Sequence, residues 1–98
     1  MSTSIYSSMK LVDNKEQHKL ALPIDPKQGY AFVRYGLRDH HIDLHHIEVS
    51  PGLRGQGIAS VLAEKVFAFI AEKQLDYTIY CSFLKTWKYR RDSKESDN

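Results

Sequence analysis

An arginine and two glycines stand directly before a long apolar-periodic segment, in Arg54-Gly55-Gln56-Gly57-Ile58-Ala59. The first amides of a helix lack intrahelical partners and carry the positive end of its dipole. Glycines let a diphosphate approach such amides closely, and Arg54 adds a positive charge, so this pattern points to anion binding at a helix start. Two other phosphate loops are excluded. Ser60 stands where Gly-x-Gly-x-x-Gly needs its third glycine, and no Gly-Lys-Ser/Thr follows. A second group of candidates lies just upstream. His46 and Glu48 are two apart on a strand and so share a face, the placement a general base requires. An imidazole titrates near neutrality, whereas a carboxylate needs burial to become a comparable base. Cys81 is the only cysteine, and a thiol can serve as an acid or a nucleophile or simply as a small buried side chain. The pairs His40-His41 and His45-His46 invite a metal reading. On one straight strand, however, His41 and His45 stand about 13 Å apart, too far to share one zinc ion; no metal is expected.

These residues need elements to position them. His41 to Val49 reads as a strand, with Ile42, Leu44, His46 and Glu48 on one face and Asp43, His45, Ile47 and Val49 on the other. Ser50-Pro51-Gly52 ends it. From Gly57 to Lys73, Ile58, Leu62, Val66, Phe69 and Ile70 recur at three- and four-residue spacing, which predicts an amphipathic helix about 25 Å long. Asp76 to Cys81 reads as the next strand, and Leu84 to Tyr89 as a short helix. A strand–helix–strand crossover places its two strands parallel. Upstream, Met9–Val12, Lys19–Pro23 and Tyr30–Tyr35 read as short strands joined by the turns at Asp13-Asn14 and Asp25 to Gly29, hence antiparallel. The expectation is an α+β (α/β) domain with a mixed, mostly antiparallel sheet, a parallel crossover and a short C-terminal helix. Beyond Tyr89 no large apolar residue occurs, so residues 1–89 read as one domain and 90–98 as a disordered tail.

Composition narrows the function classes. Ninety-eight residues with 42% apolar and 27% charged content suit one small globular domain. No apolar run approaches the ~20 residues of a membrane span, and Met1 to Ile5 lacks the layout of a secretory signal. A single cysteine cannot form an internal disulfide, so a reducing cytoplasm is expected. The net charge of +2 argues against bulk-charge nucleic-acid binding, although Lys85, Lys88, Arg90, Arg91 and Lys94 gather late in the chain. A nucleic-acid module using that segment would bind with a steep salt dependence, and no reader motif supports it.

The stretch from Ile47 to Ala59 resembles the acetyl-CoA signature of the GCN5-related N-acetyltransferase superfamily: Gln or Arg, two residues, Gly, one residue, Gly or Ala. Arg54, Gly57 and Ala59 meet it. A closer resemblance is to the small YjdJ-like subfamily, which has matching segments at His46-Ile47-Glu48-Val49-Ser50 and Cys81-Ser82-Phe83-Leu84. Here Ile47 and Ser82 replace a threonine and a proline, and Tyr89-Arg90-Arg91 departs from the usual ending. The resemblance implies a minimal acetyltransferase fold. It further implies that the amides of Gln56 to Ala59, with Arg54, Gly55 and Ser60, hold the pyrophosphate of acetyl-CoA. The backbone of Ile47, Glu48 and Val49 would pair with the pantetheine arm like an added strand. Lys85, Lys88 and Tyr89 would reach the far end of the cofactor. Glu48 or His46 would deprotonate the amine, and Cys81 would protonate the departing thiolate or carry the acetyl group.

The expected function is acetyl transfer from acetyl-CoA to an amine, with CoA released; the alternative is a CoA-binding module with little turnover. Larger members of the superfamily carry extra N-terminal helices that build the acceptor site. A chain this short should have an open one, favouring a protruding amine such as a lysine or a polyamine. The expected partners are acetyl-CoA and that amine, without nucleic acid or membrane, the protein acting as a monomer or weak dimer.

Overall fold

The computed structural model describes residues 2–96 and, within its terminal helices, the side chains of residues 5–93. The elements follow in the order α1 (Ser2–Ser7), β1 (Val12–Asn14), β2 (Lys19–Ala21), β3 (Ala31–Arg38), β4 (His41–Val49), α2 (Ile58–Glu72), β5 (Asp76–Ile79) and α3 (Ser82–Ser96), with a single 3-10 turn at Pro51–Leu53. The five strands form one sheet in sequence order, antiparallel except for the parallel pair β4–β5. This is the expected mixed α+β architecture.

Apolar alternation decides which face of the sheet is buried. Leu20, Val33, Tyr35, Ile42 and Leu44 point to one side, where α2 covers them with Ile58, Leu62, Val66 and Ile70. Each such side chain contributes roughly 1.5–3 kcal/mol by leaving water. Leu84 of α3 is fully buried in the same core, and Tyr6 of α1 packs at its edge.

One irregularity sets the direction of the candidate catalytic side chains. Tyr35 pairs with Leu44 but Arg34 pairs with His46, so His45 is the extra residue of a β-bulge. A bulge inverts the alternation beyond it. Ile42 and Leu44 face the core, yet past the bulge Ile47 and Val49 turn that way instead. His46 and Glu48 therefore stand on the opposite face from Ile42 and Leu44. The unbroken alternation predicted over His41–Val49 is corrected accordingly.

Several boundaries also differ from the sequence reading: β3 runs on to Arg38 past Tyr35, and β5 stops at Ile79 short of Cys81. Asp13 and Asn14 extend β1 instead of turning it, because Tyr35 donates its hydroxyl proton to Asp13 and draws that strand onto the sheet. The segment before β1 contains a helix, α1, docked where Lys65 donates to the Ser7 carbonyl (2.7 Å). The last helix runs from Ser82 to Ser96, so residues 90–96 are helical where composition predicts a tail. No glycine or proline interrupts them, and Lys88–Asp92 (3.0 Å) and Arg91–Glu64 (3.4 Å) pair along the helix and back to α2. Asp97 and Asn98 of that expected tail lie outside the described residues.

Candidate active site

The loop before α2 is shaped by its two glycines. Gly55 and Gly57 have φ of +82° and +75°, in the left-handed region that side-chain-bearing residues rarely adopt. Gly57 is the N-cap of α2 and makes no side-chain cap hydrogen bond. Its carbonyl accepts the first helical bond, from the Val61 amide at 3.2 Å. The amides of Ile58, Ala59 and Ser60 are thus the unpaired donors of the first turn. Residues 58–60 line a cleft of about 150 Å³ together with Val49, Arg54, Gly55 and Phe83. A Cβ built on Gly55 would meet nothing within 4 Å, so the loop backbone there borders open space. Arg54 is tied down at the rim, its Nε donating to the Val49 carbonyl at 3.1 Å. Gln56 accepts a long hydrogen bond from the Tyr6 hydroxyl (3.5 Å), which links the loop to α1.

The end of β4 supplies a second set of backbone groups. The Ser50 amide donates to the Tyr30 carbonyl (2.9 Å), so the Ser50 backbone faces β3. By strand alternation, the amides and carbonyls of Ile47 and Val49 face the other edge. No strand covers that edge beyond Leu44, where the β4–β5 ladder stops opposite Ile79, although the Val49 carbonyl is taken by Arg54 Nε. One further bond follows, from the Tyr80 amide to the Leu44 carbonyl (2.9 Å), and β5 then gives way to α3. Cys81 sits at this divergence, buried, and its carbonyl accepts the first bond of α3 from Lys85 (3.0 Å). Arg54, Gly55 and residues 57–60 thus share one cleft with Val49, and the opening between β4 and β5 has Cys81 buried beside its start.

His46 and Glu48 reach the opposite face of the sheet. Their side chains approach to 3.5 Å (Nε2 to Oε1), with His46 well exposed and Glu48 less so. Sequence reasoning treated Tyr30 only as a strand residue. Its phenol lines the same depression as Glu48, whose carboxylate favours the protonated hydroxyl and holds it above its ordinary pKa. No spacing signal could have paired these two, since they meet through the Ala31–Val49 register of β3 and β4.

Other candidates are placed elsewhere. Lys85 is exposed on the first turn of α3 and lines neither the loop cleft nor its neighbour. That neighbouring depression, about 350 Å³, shares Ser60 and Phe83 with the cleft and continues along Thr86, Trp87 and Arg90. Lys88 instead pairs with Asp92 and stands 5.4 Å over the Phe67 ring. Trp87 stacks on Phe67 at 5.5 Å. The histidine pairs are also dispersed: His41 contacts Thr78 (2.7 Å), while His45 stacks on Tyr80 (5.5 Å). Asp43 is clamped by Arg38 through two hydrogen bonds of 3.1 and 3.2 Å, which hold its carboxyl below the usual carboxylate range.

The arrangement is an α+β domain with a glycine-shaped helix start and an arginine at a cleft, beside a parallel strand pair that opens. A family model described as GCN5-related N-acetyl-transferase matches residues 20–97, and the chain belongs to that family, whose activity is acetyl transfer. Comparison with curated proteins and with solved structures gives no significant match. Among the described residues, no helix is long and apolar enough to cross a membrane.

Proposed function

We propose that this protein is an acetyl-CoA-dependent N-acetyltransferase of the YjdJ-like kind, working in the cytoplasm on a protruding amine. The observation that carries the reading is the loop itself. Two left-handed glycines open α2, whose first residues line a cleft beside the end of β4. The donor set suits a diphosphate: the amides of Gln56 to Ser60 are hydrogen-bond donors, Gly55 leaves room for close approach, and Arg54 brings charge. The Ile47 backbone and the Val49 amide suit the amide-bearing pantetheine arm, with Glu48 between them, while Arg54 occupies the Val49 carbonyl. Bound acetyl-CoA would supply a thioester carbonyl activated toward an amine.

The residues around the opening have separable tasks. Holding both reactants there makes transfer effectively unimolecular. Glu48, from the far face of the sheet, accepts the ammonium proton directly or through water, and His46 beside it offers a second base. Cys81 stands at the divergence of β4 and β5, where its thiol hydrogen can go to the leaving sulfur or its sulfur can take the acetyl group.

Titrating acetyl-CoA into ¹⁵N-labelled protein tests this reading. Saturable amide shifts at Gln56 to Ala59, with Ile47, Val49 and Cys81 responding, are expected. No saturable change at millimolar cofactor would sink it. Saturable shifts without acetylation of any amine above the buffer rate would leave a CoA-binding module.

A further inference from the structure

The face of the sheet opposite α2 carries a charge pattern that bears on the acceptor. Pairing aligns Lys19, Arg34 and His46 in one row across β2, β3 and β4, and Ala21, Phe32 and Glu48 in the next. Phe32 belongs to this outer face yet is only 8% exposed. It is covered by Lys19 Nζ at 4.3 Å and the Arg34 guanidinium at 6.0 Å, with the Tyr30 ring 5.8 Å away. Together with Glu48 these residues line a shallow depression of about 500 Å³, bordered by the neutral Asn14 and Gln17 of the first hairpin. Neither Lys19 nor Arg34 has a carboxylate partner among the described residues, whereas Arg38 on the same face is neutralised by Asp43.

Two physical arguments follow. A small molecule needs most of its surface enclosed, and an open depression on a flat sheet does not enclose it. The amine must therefore project from a larger body that rests on the face. Secondly, two unpaired cations flank the only carboxylate of the depression. A polyamine or a basic peptide would place further positive charge against Lys19 and Arg34. A body bearing carboxylates beside its amine would satisfy both. The strand spacing of about 4.8 Å and two-residue step of about 7 Å put the Arg34 and Glu48 backbones roughly 8 Å apart. That span matches a lysine side chain and a neighbouring acidic residue on an extended peptide.

We infer that the acceptor is a lysine in an acidic polypeptide segment, its amine directed to Glu48 and its flanking carboxylates to Lys19 and Arg34. The inference rests on the acetyltransferase reading and deepens it. Three lysine peptides of equal length test it, flanked by aspartates, alanines or arginines, with spermidine as a fourth acceptor. Acetylation is followed by mass spectrometry. Binding without acetyl-CoA is followed by amide shifts at Lys19, Phe32 and Arg34. The aspartate peptide should shift those amides and be acetylated fastest. Lys19→Gln and Arg34→Gln should each raise its KM about threefold to fivefold, the worth of one exposed ion pair, and erase its advantage over the alanine peptide. Equal or faster acetylation of the arginine peptide or of spermidine would overturn the inference and leave the enzyme reading intact. Absence of all turnover would sink the enzyme reading alone. Shifts with the aspartate peptide and not the arginine peptide would still uphold acidic recognition, and their absence would overturn it.

Discussion

Replacing Gly55 by alanine separates two consequences of the loop geometry. At φ of +82°, a Cβ costs about 1–2 kcal/mol of backbone strain. No clash adds to this, since nothing lies within 4 Å of the position. For a domain of this size that loss lowers Tm by roughly 4–16 °C. The new methyl group would project into the space where the phosphates are expected. Losing one charge-assisted hydrogen bond to the loop amides weakens binding by about 1.5–3 kcal/mol, or roughly 10- to 150-fold in Kd. Thermal unfolding by circular dichroism measures the first effect. Isothermal titration of acetyl-CoA, well below the transition, measures the second. A variant that melts early but binds acetyl-CoA as tightly as the parent would refute the close-approach argument. One that melts unchanged would refute the assigned backbone conformation.

Gly29→Ala should be worse for stability and have no specific effect on the cofactor. Gly29 has φ of +144°, and a Cβ there would overlap Ser50 Oγ, the acceptor of the Tyr30 amide, so a loss above about 2 kcal/mol is expected in a urea titration. Leu62→Ala empties a site with 0% exposure between α2 and the sheet and should cost about 2–5 kcal/mol, again read from urea unfolding. The Arg38–Asp43 clamp predicts a pH effect. Because Asp43 is held below its unfolded pKa, its contribution is present above about pH 4 and is lost as pH falls through the lower folded value. Arg38→Gln should therefore flatten the acid limb of the stability profile without altering its slope above pH 6.

Much of the scaffold was legible because it is encoded locally. The spacing of Ile58, Leu62, Val66 and Ile70 marks a helix whatever surrounds it, and Gly55 and Gly57 mark its start, since few other residues tolerate that backbone. From a helix between two apolar strands, the parallel β4–β5 pair follows by chain geometry. The order of loop, helix and the strand that leads to Cys81 was thus legible by reading alone. Residues that meet only through register could not. Tyr30 and Glu48 line one depression from neighbouring segments of the sheet, and Lys19 and Arg34 flank Phe32 across β2 and β3.

The sequence by itself determined the glycine-marked helix start, the crossover and the family resemblance, because each depends on residues adjacent or periodic along the chain. Only the tertiary structure decided which way His46 and Glu48 point. One extra residue at His45 is silent in an apolar pattern, yet it inverts every side chain beyond it. The continuation of α3 through Arg91 is of the same kind. A charged segment without apolar residues cannot bury a stripe, but ring and ion-pair contacts with Trp87 and Glu64 hold it helical, and those partners exist only once the chain has folded.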